Sequence, residues 1–309
     1  MSLKIAVPDL ISNSYFPVEA AVELGFFKDE GIEMELELIF PVDKSYEALR
    51  DGKTDFVAGS AHSALAAFPE WKGVKLLCAQ AQGMYWFLVM RSDLNPQKGN
   101  LEVVKGRRIG AAPWVEMGLR GLLEARGIDI KRDDVQIAPV PGASAGNVNF
   151  GVTAAKALAE GKIDGFWANG MGAEVAVKSG AGKTVLDVRR DTESAEAFHY
   201  TLASVATTDT LIRQSPEIAA GVIRAIMKTQ RALKENPALA TQVGKKLFPS
   251  SEADLIADII KRDLPYYDAV ISEQTVAGMN AFCRNIGILQ GYPSYTDVVA
   301  PEFLPLWAQ

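Results

Sequence analysis

The eight residues "ALRDGKTD" (48–55) return as "ALAEGKID" (157–164), with Ala, Leu, Gly, Lys and Asp in the same places and an acidic residue fourth in each (Asp51, Glu160). A repeat of this kind constrains the fold strongly, because the same local structure must be written twice. Ala-Leu-x-acidic suits the last turn of a helix. Gly52 or Gly161 supplies the left-handed residue just beyond it, and the lysine sits near the negative helix end. An apolar stretch follows each copy, "FVAGS" (56–60) and "GFWANG" (165–170), and both read as short buried strands. Each copy thus predicts helix, glycine turn and strand, with a small or polar residue opening the next helix.

The flanks repeat as well. One region opens with strand "KIAVP" (4–8), loop "DLISNS" (9–14) and helix "YFPVEAAVEL" (15–24), closed by Gly25. The other opens with strand "RRIGAAP" (107–113), a loop at Trp114–Val115 and helix "EMGLRGLLEAR" (116–126), closed by Gly127. Acidic and apolar residues alternate over 33–38, a strand with one solvated face, and helices are predicted at about 44–51 and 150–160. Two doubly wound α/β lobes follow from this.

Apolar strands at 83–93 and 198–212 leave the first and second lobe, and the last hundred residues read as mainly helical. Ser215 and Pro216 start a helix over 215–237; others are expected at 250–263 and 272–287, returning to the first lobe. The predicted organisation is residues 1–91 with 204–309 as lobe 1 and 92–203 as lobe 2, joined by a two-strand hinge with a ligand cleft between the lobes. Crossings are expected near 91–93 and 199–205.

Composition narrows the function. The 309 residues are 48% apolar and 23% charged, enough for two cores, and a net charge of −6 argues against a nucleic-acid partner. "KGRR" (105–108), the densest basic run, reads as a solvated strand entrance. No apolar run reaches membrane-spanning length. Two histidines, His62 and His199, cannot build a multi-histidine metal site, so no metal or cofactor is expected. Cys78 and Cys283 read as small buried hydrophobes, and a disulfide between them stays open. "MSL" running straight into "KIAVP" suits either a cytoplasmic chain or one whose signal peptide has been removed.

Ligands of open α/β sheets sit beyond the carboxyl ends of strands, at helix starts. That rule selects Ser12, Asn13, Ser14 and Tyr15; Ser60, Ala61 and His62; Trp114, Val115 and Glu116; and Asn169. Asn147 lies in the loop 141–151, and Trp86 approaches from the crossing strand. Each has a plainer reading: Ser14 as a helix cap, Tyr15 as core, His62 as a hydrogen-bonded structural histidine, Glu116 as a dipole complement, Asn147 as a turn residue. Trp114, after Pro113, favours a ligand-facing ring, whereas Trp167 favours the core. These four loops hold rings and neutral polar groups without Arg or Lys near the helix starts. Aromatic walls suit a planar ligand, and Glu116 one that carries an amino or amidine group.

The segments "YFPVEAAVELGFFKDEGIEMELELI", "ALRDGKTDFVAGSAHSALAA", "KGRRIGAAPWVEMGLRGLLEARGID" and "ALAEGKIDGFW" together resemble the solute-binding proteins of bacterial ABC importers, over almost the whole chain. The nearest group handles thiamine-precursor pyrimidines, alkanesulfonates, taurine and nitrate. The resemblance implies a type II periplasmic-binding fold with a small-molecule ligand clamped between the lobes and delivered to an ABC permease in the membrane. It also implies a periplasmic or membrane-anchored extracytoplasmic location. A monomer without catalytic residues is expected. The rival is an enzyme on the same lobes, a menaquinone-pathway-like dehydratase or lyase with His62 or Glu116 as acid or base.

Overall fold

The protein is described by a computed structural model covering residues 2–143 and 149–308. Ten strands are present among these residues: β1 Leu3–Val7, β2 Met34–Leu38, β3 Phe56–Ser60, β4 Val74–Ala81, β5 Phe87–Arg91, β6 Arg108–Ala111, β7 Gln136–Ala138, β8 Gly165–Ala168, β9 Gly182–Asp187 and β10 Ala203–Thr208. The main helices are α1 Phe16–Glu23, α2 Phe26–Asp29, α3 Val42–Arg50, α4 Glu116–Ala125, α5 Phe150–Ala159, α6 Gly170–Lys178, α7 Asp209–Gln214, α8 Pro216–Glu235, α9 Leu239–Leu247, α10 Ser250–Ala253, α11 Ile256–Asp263 and α12 Glu273–Asn285. The chain divides into two compact units, residues 1–83 with 199–309, and residues 84–198.

The first unit holds a sheet in the order β2-β1-β3-β10-β4. β1 runs parallel to β2 and β3, while β10 is antiparallel to both β3 and β4. Its core is formed by Ile5, Val7, Phe56, Ala58, Cys78 and Val205 of the sheet, meeting Val18 and Ala21 of α1 and one face of α8. On α8 the buried positions Ala219, Val222, Ile223 and Ile226 fall at the i, i+3, i+4, i+7 spacing of a helical stripe. Glu235 ends that helix because Asn236 precedes Pro237, which disfavours helical backbone at the residue before it. The edge strand β2 carries Glu35 and Glu37 on one face, and Lys4 pairs with Glu37 at 2.6 Å. The helix expected over 250–263 is two, α10 and α11.

The second unit has the order β7-β6-β8-β5-β9. β6 is parallel to β7 and β8, and β5 is antiparallel to β8 and β9. The strand expected to leave the first lobe over 83–93 is therefore an inner strand of the second sheet, because its backbone ladders on both sides belong to β8 and β9. The first boundary falls before this strand, at 83/84, rather than near 91–93; the second falls at 198/199. Near both, Met84 N–H donates to Phe198 O at 2.9 Å.

Both octapeptides do the same work. Gly52 and Gly161 turn the chain with φ of +68° and +70°. The closing aspartate then ties the following strand to the opening strand of its unit. Asp55 N–H donates to Lys4 O at 3.0 Å while its carboxylate accepts Lys4 N–H at 2.7 Å. Asp164 N–H donates to Arg108 O at 2.8 Å while its carboxylate accepts Arg108 N–H at 2.9 Å. Cys78 and Cys283 are both free and buried, which closes the disulfide question.

Candidate functional site

In the first unit, the carboxyl ends of β1 and β3 and the start of β10 lie at one end of the sheet, since Ser60 registers with Ala203. The β1–α1 loop there is buried: Ser12, Asn13 and Ser14 are fully covered and Tyr15 is 4% exposed. The cap position of α1 is Tyr15 and not Ser14, and Ser14 Oγ is buried without a hydrogen-bond partner. Asn13 is held from two sides. Its Nδ2 donates to the Asp263 carboxylate, and the Tyr267 hydroxyl donates to its backbone carbonyl. With the amide orientation fixed in this way, Asn13 Oδ1 is a buried acceptor without a partner. Ser60 Oγ bonds Ser63 Oγ at 2.7 Å, and Ala61 N–H donates to Leu202 O at 3.0 Å. His62 is completely buried; its Nδ1 meets Thr201 Oγ1 at 3.0 Å, and its ring sits edge-on to Phe282 with centroids 5.8 Å apart. The structural reading of His62 thus has concrete partners.

Behind this loop lies Glu19 of α1, fully buried, with neither carboxyl oxygen hydrogen-bonded. Burial, reinforced by the nearby Asp9 charge, pushes its carboxyl well above the usual carboxylate range. A raised value in the folded state means unfolding releases a proton once the pH exceeds the ordinary carboxyl value of about 4.3. Stability therefore falls as pH rises from there through the folded value. Replacing Glu19 by methionine removes this penalty, with an expected gain of about 1–3 kcal/mol at neutral pH. Urea melts at pH 5 and pH 8 should show the gain growing with pH; a gain independent of pH over this range would mean that Glu19 carries the same charge folded and unfolded, against the raised value of its buried carboxyl.

In the second unit β6, β8 and β9 all end, and β5 begins, at one end of the sheet, because Phe87 registers with both Ala168 and Asp187. Trp114, Val115 and Glu116 lie there, partly exposed, and Trp114 adopts a left-handed φ of +68°. That conformation is uncommon for a bulky side chain and marks a locally constrained loop. Trp167 is fully buried, and its Nε1 donates to Val115 O at 3.1 Å, so the core ring positions the loop. Trp86 lies 6.1 Å from Trp167 and 5.1 Å from Tyr85, centroid to centroid. Gly118 lets this ring close on α4, since a Cβ there would stand 2.9 Å from Trp86 Cζ3. Asn169 caps α6: its Oδ1 accepts Met171 N–H at 3.1 Å and Gly172 N–H at 3.2 Å. That accounts for its position at a helix start without a ligand. Asn147 lies outside the described residues.

The four-loop selection omits a fifth. The segment after β9 places Arg189, 7% exposed, at the same sheet end, with its guanidinium carbon 5.5 Å from the centre of the Tyr85 ring. The sequence signal was the basic pair Arg189–Arg190 after an apolar stretch, but only the topology shows that β9 points the same way as β8. Asp263, Tyr267 and Thr201 were also unforeseen, because each reaches the site from a distant part of the chain. A groove of about 610 Å³ beside β2 and α3 is a different feature, with its lysines Lys4, Lys44 and Lys53 paired to Glu37, Glu47 and Asp51.

The model of the NMT1/THI5-like family matches residues 13–240. No curated protein sequence matches the chain. Among solved structures, a protein of Bordetella bronchiseptica RB50 superposes with a TM-score of 0.80 at 19% identity, covering 99% of this chain and 96% of that one. The ligand-binding component of an ABC-type import system from Staphylococcus aureus gives a TM-score of 0.73 at 14% identity, with 99% and 98% covered. The periplasmic nitrate-binding protein NrtA from Synechocystis PCC 6803 gives 0.72 at 14% identity, with 100% and 88% covered. These likenesses establish architecture, and the family match spans most of the chain. The chain belongs to the NMT1/THI5-like family and has the type II periplasmic-binding fold.

Proposed function

We propose that the chain is the solute-binding component of an ABC importer. It captures a small ring-bearing molecule, closes on it by bending at its two chain crossings, and hands it to a membrane permease. In this reading it acts as a monomer, in the periplasm or anchored on the outer face of the membrane. The observation that carries the reading is the partly exposed Trp114–Glu116 loop at the strand ends of the second unit, held in place by the buried rings of Tyr85, Trp86 and Trp167. The Trp114 ring offers flat contact to a planar solute, and the Glu116 carboxylate suits an N–H donor on it. Family membership and the import component and nitrate-binding protein among the similar structures support the same class.

The test begins with whatever small molecule is released on denaturing the purified protein. At about a hundred times its dissociation constant, a true ligand raises stability by roughly 2.7 kcal/mol, well within the reach of a melting curve. Trp114→Ala is expected to weaken binding at least tenfold, and the compound should return intact after incubation. Its chemical conversion, abolished by Glu116→Gln, would replace this reading with an enzyme.

A further inference from the structure

We infer that Asn13, polarised by Asp263, is the acceptor for an N–H group on the ligand, so that the captured solute is a hydrogen-bond donor here and not a bare oxyanion. This rests on the solute-binding reading and adds the substrate class to it. Three observations within the first unit carry it. First, place: Asn13 lies in the loop beyond the carboxyl end of β1, the end of a sheet at which open α/β folds take their ligands. Second, an acceptor left over: the Asn13 side chain is fully buried, its Nδ2 donates to the Asp263 carboxylate, and its Oδ1 receives no hydrogen bond. Turning the amide over would set Oδ1 against that carboxylate, oxygen to oxygen, so only one orientation is sustainable. Third, a neighbour in the same condition: Ser14 Oγ is equally buried and has no partner, although the Ser14 N–H donates to Ser12 Oγ at 3.3 Å. Buried polar atoms are nearly always satisfied, and two consecutive residues that are not, in a loop at the ligand end of the sheet, point to a donor from outside the chain.

The chemistry follows from what holds the amide. Donation of Nδ2–H to a carboxylate shifts electron density along the amide and makes Oδ1 a stronger acceptor, as in other hydrogen-bonded chains. Asp263 is thus a positioning residue, reaching the loop from α11, and Tyr267 holds the backbone of the same asparagine by donating to its carbonyl. Because solvent does not reach Oδ1, a solute without a hydrogen leaves that acceptor stranded, whereas an amino, amide or ring N–H completes it. Nitrate and other oxyanions without hydrogen would set lone pairs against Oδ1, so the loop discriminates against them. The Ser14 hydroxyl can donate or accept and serves whatever flanks the N–H. Access comes with the opening at the two chain crossings that the solute-binding reading already contains.

The experiment uses the full chain at pH 8 and matched probes in which only an amino group becomes a methyl: benzamide against acetophenone, and 2-aminopyridine against 2-methylpyridine. Sodium nitrate is the oxyanion probe, and any molecule released on denaturation is tested beside them. Binding is read by calorimetry. The amino member of a pair is expected to bind tighter than its methyl analogue by about tenfold or more, nitrate is expected to bind more weakly than either amino probe, and a released molecule is expected to carry an N–H. Asn13→Leu should bring the amino-to-methyl ratio close to one. Asp263→Asn keeps an oxygen for Asn13 Nδ2 but removes the carboxylate, so the ratio should fall part of the way; a purely structural role would weaken both members of a pair alike. If Asn13→Leu does not fold, the ratios in the unaltered chain and in the Asp263→Asn protein decide the matter. A ratio near one in the unaltered chain would mean that a water meets Asn13 Oδ1 instead. That result, a preference that survives Asn13→Leu, nitrate bound tighter than the amino probes, or a released molecule without an N–H overturns the inference and leaves solute binding intact. If no probe binds and no molecule is released, both the inference and the solute-binding reading fall.

Discussion

Substituting Gly172 by alanine is expected to lower the stability of the second unit by about 2–3 kcal/mol. At this position α6 crosses α5 backbone to backbone. A Cβ on Gly172 would lie 2.6 Å from Gly151 O and 2.7 Å from both Gly151 C and Cα. None of these is the tip of a flexible side chain, so the helices must part, and the gain of about 1 kcal/mol in helix propensity from glycine to alanine offsets only a fraction. The added strain falls on the first turn of α6, whose Gly172 N–H is capped by Asn169 Oδ1 at 3.2 Å. Thermal melts should show a midpoint lower by roughly 5–10 °C, against less than about 0.5 kcal/mol for Val177→Ala on the exposed side of the same helix. A Gly172→Ala protein as stable as its parent would mean that the two helices separate at little cost.

Asp164→Ala is the second large effect, expected at about 2–3 kcal/mol. The carboxylate accepts Arg108 N–H at 2.9 Å, Arg108 Nε at 3.0 Å and Arg108 Nη2 at 3.1 Å, with Arg91 Nη1 at 3.5 Å. Its removal strands a backbone donor at the start of β6 and leaves two guanidinium groups facing each other. The hydrogen bond from Arg108 also holds the Asp164 carboxyl below the usual aspartate range. A lowered value in the folded state contributes stability that is present above about pH 4 and is lost as the pH falls through the folded value. The difference between Asp164→Ala and its parent should accordingly shrink in acid. Asp55→Ala provides an internal comparison: its carboxylate has the same strand-start bond to Lys4 N–H, whereas Lys4 Nζ is paired with Glu37. About 1 kcal/mol is expected there. Denaturant titrations of both variants at pH 7 and pH 3.5 would settle the ranking, and equal losses would refute the role given to Arg108.

Where backbone chemistry is local, the residues could be read directly. Gly52 and Gly161 predict helix ends because a left-handed turn has few other candidates, and Ser272 predicts the start of α12, where its hydroxyl accepts Thr275 N–H at 3.1 Å. The expected helices over 15–24 and 116–126 match α1 and α4 to within a residue or so at each end. Strand pairing is decided by residues far apart in the chain, and there the reading was less complete. Nothing in "FLVMR" says that it ladders with β8 and β9 rather than belonging to the first unit. Candidate site residues at strand ends were nameable from the rule for α/β sheets. What each one holds depends on partners such as Thr201, Asp263 and Tyr267, more than a hundred residues away. Arg189 shows the same limit: its composition was visible, but its place followed only from the direction of β9.

The place of β10 in the first sheet bears on the order in which the polypeptide can acquire structure. It lies between β3 and β4, which do not pair with each other, although both precede it by more than a hundred residues. On a ribosome, every strand of the second unit's sheet has emerged once Asp187 is out, while the first sheet still lacks the ribbon that joins its halves. Vectorial synthesis therefore favours completion of the middle of the chain before its beginning, and β3 and β4 wait with unpaired edges until residues 203–208 arrive.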